Sequence, residues 1–182
     1  IIYDTIETLN VHLGKGNNDF TIESTDAYTV TNLATNELGT SSGGNDSIRV
    51  KRVAGETHIT TRDGNDTVTI SDDNASLAGI DALLTVDVAV GNGDTLKVDN
   101  QGATSGQAGQ LSDAKISGLG MSGEIQYSNF ENTTLLLGDH ADTLDILSMP
   151  NVTNLIDTGA GDDIVKIETY AGQTVLETAA GT

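Results

Sequence analysis

Asp63-Gly64-Asn65-Asp66-Thr67-Val68-Thr69-Ile70 sets a turn directly against a strand. Gly, Asn and Asp accept the tight and left-handed geometry that a turn needs. Thr-Val-Thr-Ile then alternates polar and aliphatic residues with a period of two, the signature of a half-buried strand. The unit recurs at Gly14-Lys15-Gly16-Asn17-Asn18-Asp19-Phe20-Thr21-Ile22 and at Gly43-Gly44-Asn45-Asp46-Ser47-Ile48-Arg49-Val50. It returns at Gly91-Asn92-Gly93-Asp94-Thr95-Leu96-Lys97-Val98, at Gly138-Asp139-His140-Ala141-Asp142-Thr143-Leu144-Asp145-Ile146, and at Gly159-Ala160-Gly161-Asp162-Asp163-Ile164-Val165-Lys166-Ile167.

With Asn18, Asp46, Asp66, Asp94, Asp142 and Asp163 as anchors, the steps are 28, 20, 28, 48 and 21 residues, the 48 reading as two coils of about 24. That period is one coil of a solenoid, and the turns are expected to stack in one column along one edge of it. The expected fold is therefore all-β, a parallel β-helix or β-solenoid with coils of about 20–28 residues and right-handed crossovers. Two and four residues past each anchor stand Phe20/Ile22, Ile48/Val50, Val68/Ile70, Leu96/Val98, Leu144/Ile146 and Val165/Ile167. The residues between are polar: Thr21, Arg49, Thr69, Lys97, Asp145 and Lys166. Stacked coils would turn the aliphatic positions into two continuous inward ladders and fix the register. No coil buries its apolar face alone; its neighbours do so.

A longer repeat overlies the first. Tyr3, Glu7, Leu13, Gly14, Ile22 and Ser24 reappear as Tyr127, Glu131, Leu137, Gly138, Ile146 and Ser148. Thr31-Asn32-Leu33 reappears as Thr153-Asn154-Leu155, and Asp46, Ala54-Gly55, Thr57 and Thr61 as Asp163, Ala171-Gly172, Thr174 and Thr178. Residues 1–182 thus read as one continuous segment holding about one and a half copies of a super-repeat near 124 residues, 1–124 and then 125–182. A chain that starts on the strand-like Ile1-Ile2-Tyr3 and breaks off in a turn at Gly181-Thr182 is expected to be a section of a longer array.

Composition agrees. Of 182 residues 27 are acidic and 8 basic, a net charge of −19, which disfavours nucleic acid and anionic membrane as partners. Aromatic residues make up 3% and tryptophan is absent, which suits a narrow interior filled by Val, Ile and Leu. There is no cysteine, so no disulfide or thiol chemistry. No run approaches the ~20 apolar residues of a membrane helix.

The turns invite a hard cation. Calcium takes six to eight oxygens, from carboxylates and carbonyls, and two turns on adjacent coils could share one ion. Without a cation the same stacking would place like charges about 4.8 Å apart.

The segments Gly64-Asn65-Asp66-Thr67-Val68 and Gly161-Asp162-Asp163-Ile164-Val165 resemble the glycine- and aspartate-rich, calcium-binding nonapeptide of RTX proteins. On that resemblance Asp46, Asp66, Asp94, Asp142 and Asp163 match the aspartate ligand, with Asp63, Asp162, Asn45 and Asn65 as further donors in the same turns. Three departures stand: one motif falls in every 20–28 residues instead of nonapeptides back to back, Asn18 replaces the aspartate in the first turn, and Asp139-His140-Ala141 lacks the glycines. The wider pattern, Asn129-Phe130-Glu131 through Leu135, Leu137 and Gly138, resembles the arrays of very large bacterial surface proteins. The resemblance implies an extracellular or cell-surface structural module, a calcium-ordered rod or filament segment. Its partners would be neighbouring repeats, or further copies joined end to end. The alternative is an adhesin module that binds a glycan, a surface or a sister chain through a lateral face.

Catalysis is not expected. The candidate acid constellations, Arg62-Asp63 and Asp72-Asp73, sit beside turns and read as turn residues. His12, His58 and His140 have no zinc-ligand spacing. Arg49, Lys51 and Arg52 form the one basic spot and are expected to pair with acidic neighbours. Gly102 to Leu119 lacks an anchor; a looser coil with a protruding loop near Gln101–Gln110 is expected there, and with it any specific contact.

Overall fold

A computed structural model describes residues 6–35, 43–89 and 91–179. All regular structure among them is strand. In chain order the strands are β1 (Thr8–His12), β2 (Asp19–Ile22), β3 (Val30–Ala34), β4 (Ser47–Val50), β5 (Thr57–Thr60), β6 (Thr67–Ile70), β7 (Leu83–Asp87) and β8 (Thr95–Asp99). Then come β9 (Ala108–Leu111), β10 (Lys115–Gly118), β11 (Glu124–Ser128), β12 (Asn132–Leu136), β13 (Thr143–Ile146), β14 (Thr153–Asp157), β15 (Ile164–Ile167) and β16 (Gln173–Glu177).

They form two sheets. One has nine strands in the order β1-β3-β5-β7-β11-β10-β9-β13-β15, the other seven in the order β2-β4-β6-β8-β12-β14-β16. The chain therefore crosses from sheet to sheet at nearly every link, and apart from the pairs that β10 makes, strands pair in parallel with the strand one turn of the chain away. Parallel sheets need both faces managed, and the alternation does so. Ile48, Val50, Val68, Ile70, Leu96 and Val98 are buried in the seven-stranded sheet, in register from strand to strand. Leu33, Ile59, Val86 and Tyr127 form the facing row. The positions between them are more open, as the alternation predicts. Each fully buried Val, Ile or Leu stabilises the stack by about 1.5–3 kcal/mol.

Four features differ from the sequence reading. Gly102 to Leu119 is only in part the expected coil: residues 101–107 form the expected loop, but β9 begins at Ala108 within it, and β10 runs antiparallel to both β9 and β11. Because β9 and β11 then point the same way, β11 joins β7 and β9 joins β13 in parallel. The 48-residue step from Asp94 to Asp142 thus holds β8, this meander and β12, one and a half turns of the chain and not two. Leu119 and Phe130 are buried there, and the Tyr127 hydroxyl donates to Ser112 O at 2.6 Å.

The second difference follows. Asn18, Asp46, Asp66 and Asp94 lead into the seven-stranded sheet, but Asp142 and Asp163 lead into the nine-stranded one. The anchors are two columns, not one.

Third, the two copies of the super-repeat occupy opposite sheets. β1 to β5 correspond to β12 to β16, an odd number of sheet crossings later, so each strand of the second copy lies in the sheet its counterpart avoids. Tyr3, Gly181 and Thr182 lie outside the described residues.

Fourth, the shared Thr-Asn-Leu triplet is misaligned. Thr31 and Leu33 point inward, whereas Thr153 and Leu155 are the more open positions and Asn154 and Ile156 are buried. The structural counterpart of Thr31 is Asn154. A slip of one residue exchanges the faces of a strand, and the identical letters conceal it.

Candidate functional site

Each anchor stands immediately before a strand, and along a row an anchor clasps the next one twice. Its carbonyl accepts the N–H of the residue after the next anchor: Ser47 N–H to Asn18 O, Thr67 to Asp46 O and Thr95 to Asp66 O, each at 2.8 Å. Its own N–H donates to the next anchor's side chain. Asn18 N lies 2.8 Å from Asp46 Oδ1, Asp46 N 2.8 Å from Asp66 Oδ1, Asp66 N 2.6 Å from Asp94 Oδ1, and Asp94 N 2.8 Å from Glu131 Oε2. A short side chain ending in an acceptor satisfies a backbone donor in a turn, where no ladder carbonyl faces it. A short second row repeats the device: Gln107 N donates to Asp142 Oδ1 at 2.6 Å and Asp142 N to Asp163 Oδ1 at 2.9 Å.

A parallel rail runs one residue earlier, on the exposed side. Asn45 N donates to Asn17 Oδ1 and Asn65 N to Asn45 Oδ1, both at 2.9 Å. The turn conformation belongs to glycine here: Gly64 has φ +140°, and a Cβ on it would lie 2.2 Å from Gly44 O.

Of the residues expected to bind metal, the structure brings Asp46, Asp66 and Asp94 into one row and Asp142 and Asp163 into the other. Asn45 and Asn65 lie on the outer rail. Asp63 is half-buried and Asp162 exposed, and neither is part of a ladder. The carboxylates of Asp46, Asp66, Asp94 and Asp142 are buried, and one oxygen of each accepts a backbone N–H. The second oxygen of Asp66, Asp94 and Asp163 is buried without a hydrogen-bond partner. Among the described residues no group of three or more His, Cys, Asp or Glu side chains is placed to hold a metal ion.

Burial dominates the chemistry of this row. It pushes the Asp94 carboxyl up to about 6, helped by the neighbouring Asp66 and Glu131 and opposed by the Asp66 N–H. Burial also raises Asp66, against the nearby Thr61 hydroxyl and the Asp46 N–H, and it raises Asp142, against the Gln107 N–H. Thr61 lies close to Asp66 but its hydroxyl is not aligned as a hydrogen bond.

The remaining candidates are structural. Asp72 Oδ1 caps a turn by accepting from Asn74 N and Ser76 N. Asp73 pairs with Arg49 and Lys51, and Lys51 also reaches Glu23 at 2.9 Å. His58 pairs with Glu56. Sequence reasoning missed Glu131 and Gln107, which take anchor places without the turn motif, and Asn154. Asn154 is fully buried, accepts from Thr133 Oγ1 at 2.6 Å, and donates to Pro150 O and Val152 O. The signal for Glu131 was its repeat partner Glu7; for Gln107 and Asn154 the sequence offers none.

Comparison with protein-family models, with curated proteins and with solved structures finds no match.

Proposed function

We propose that this chain is a structural module: a segment of a right-handed parallel β-solenoid, coils of about 20–28 residues, that serves as a rod or spacer in an extracellular or cell-surface protein. The observation that carries the reading is the anchor row. Backbone N–H groups in successive turns are passed from Asn18 through Asp46, Asp66 and Asp94 to Glu131. Such a row stiffens the stack coil by coil and can be lengthened by adding coils, which is what a spacer needs. The strongly acidic composition keeps such a rod soluble and resists lateral association.

Modularity is the test. Deleting residues 57–83 removes β5 and β6 and brings β7 onto β3 in the place of β5. In a stack each coil depends on its nearest neighbours, so the shortened chain is expected to keep a β-type circular dichroism spectrum and a cooperative, lower melt. A chain that loses its fold would overturn the reading.

Calcium is the second reading, favoured by the unpartnered second oxygens of Asp66, Asp94 and Asp163. In adjacent turns Asp66 and Asp94 would supply the carboxylate donors, with carbonyls and water completing the shell. Melting in chelator, calcium and magnesium separates the two: a metal-free ladder melts alike in all three, and a calcium site raises the melting temperature in calcium alone.

A further inference from the structure

An asparagine in a turn carries its own chemistry. The backbone nitrogen of the following residue attacks the side-chain carbonyl carbon, Cγ. A new N–Cγ bond closes a succinimide ring, the Cγ–Nδ2 bond breaks, and ammonia leaves with the proton of the attacking amide. Water then opens the ring at either carbonyl and gives aspartate or isoaspartate, with no change of oxidation state. The attack needs a backbone free to rotate into line, which glycine at the next position allows best. It also needs a following N–H that no hydrogen bond holds.

Most asparagines in the turns fail the second condition. Asn17, Asn45 and Asn65 each precede an anchor, and the anchor N–H is taken by the next rung: Asn18 N by Asp46, Asp46 N by Asp66 and Asp66 N by Asp94, at 2.8, 2.8 and 2.6 Å. The side chains of Asn17 and Asn45 are held too, accepting from Asn45 N and Asn65 N. After Asn74 and Asn151, the N–H groups of Ala75 and Val152 donate to Asp72 O and Pro150 O.

Asn92 differs on both counts. It precedes Gly93 in the one Asn-Gly pair of the sequence, and it stands two residues before its anchor, Asp94, where the other rail asparagines stand one. Gly93 takes the rail position and lies against the Asn65 side chain. Asn92 is thereby left outside the rail and exposed. Among the described residues neither its side chain nor the Gly93 N–H has a hydrogen-bond partner.

We infer that Asn92 is a site of spontaneous deamidation, and that the anchor row confines the reaction to it by holding the other turn amides. The product bears on the stack. Asp94 joins the regular coils to the strand beyond the meander: its Oδ1 accepts from Asp66 N, its own N–H donates to Glu131 Oε2, and its carbonyl accepts from Asn132 N. Isoaspartate at position 92 routes the chain through the side chain and adds a methylene to the backbone two residues before Asp94. That shift draws Asp94 off its rungs and leaves the buried Asp66 N–H without its acceptor, so the row loosens at this joint.

The test is peptide mapping by mass spectrometry of the chain aged in mildly alkaline buffer with chelator, once folded and once in urea. Asn92 is expected to convert nearly as fast folded as in urea. Asn45 and Asn65 should convert roughly tenfold or more slowly when folded, because an opening that costs even one hydrogen bond lowers the rate by about that factor. Asn92 protected as strongly as Asn45 and Asn65, or all three converting alike in both states, overturns the inference. The aged isoaspartyl fraction, separated by its added charge, should melt below the fresh chain and exchange the Asp66 amide faster. Asn92→Gln aged alongside should change in neither respect, and Asn92→Asp, which carries the charge without the methylene, should melt with the fresh chain. An isoaspartyl fraction as stable as the fresh chain overturns the effect on the joint.

Discussion

Asp66→Asn should stabilise this chain at pH 7, whereas Asp66→Ala should destabilise it. Asp66 is fully buried; one oxygen accepts the Asp46 N–H at 2.8 Å and the other has no partner. Asparagine keeps the acceptor and puts an amide where the unpartnered oxygen was. Asn18 shows the geometry: its Nδ2 lies 2.9 Å from Asp46 Oδ1, alongside the backbone bond. In the variant the new side-chain amide would face Asp94 Oδ1 in the same way. Removing a buried charge and adding one charge-assisted hydrogen bond should yield roughly 1–2 kcal/mol. Alanine leaves the Asp46 N–H buried without an acceptor, a loss of about 1–3 kcal/mol. Urea titrations at pH 7 in chelator read both as shifts of midpoint at unchanged slope. The gain from asparagine should shrink at low pH, where Asp66 is protonated in the parent chain. If asparagine destabilises as much as alanine, the negative charge itself is required, and the ladder reasoning is refuted in favour of a cation.

The same burial sets a pH dependence. Asp94 has a folded value of about 6 against an ordinary 3.8, so the folded state binds more protons across that interval. Its contribution is fully present below about 4 and is lost as pH rises through about 6, roughly 3 kcal/mol for this group; thermal melts should peak in mild acid and decline toward neutrality, and a flat profile from about pH 4 to pH 7 would contradict it. Gly64→Ala should cost about 2 kcal/mol or more by denaturant titration, because φ is +140° and the new Cβ would meet Gly44 O; an unchanged midpoint would mean the turn is not held as described. Asn154→Ala should cost about 1–3 kcal/mol, since it leaves the half-buried Thr133 hydroxyl without its acceptor and Pro150 O and Val152 O without their donor; a variant as stable as the parent would show that this network contributes nothing.

Much of the fold was legible because the anchor motif and the period-two strand are short-range signals. Ile48/Val50, Val68/Ile70 and Leu96/Val98 were assigned inward from their spacing and are buried. The sheet a strand joins was not legible, since inward and outward positions read alike on either face; only the crossing order places Asp142 and Asp163 in the second column. The meander escaped because Ala108-Gly109-Gln110-Leu111 and Lys115-Ile116-Ser117-Gly118 are short and glycine-bearing. Its geometry is nonlocal: a Cβ on Gly109 would meet the Leu119 side chain, and Leu119 itself holds φ +55°. At the site, the aspartate positions were legible from the motif, but their inward aim was not. The motif says which residues turn; the depth of a carboxylate depends on the neighbouring turn and strand that pack against it.

Native-state hydrogen exchange at four backbone amides tests the central claim most directly. The N–H groups of Asp46, Asp66, Asp94 and Asp142 lie in turns yet donate to the next anchor's side chain. In chelator they should be protected to nearly the same free energy as the strand amides of Val68 and Leu96, because opening one requires unstacking the coil beside it. Exchange at the rate of exposed turns would mean that the carboxylates do not hold the coils together.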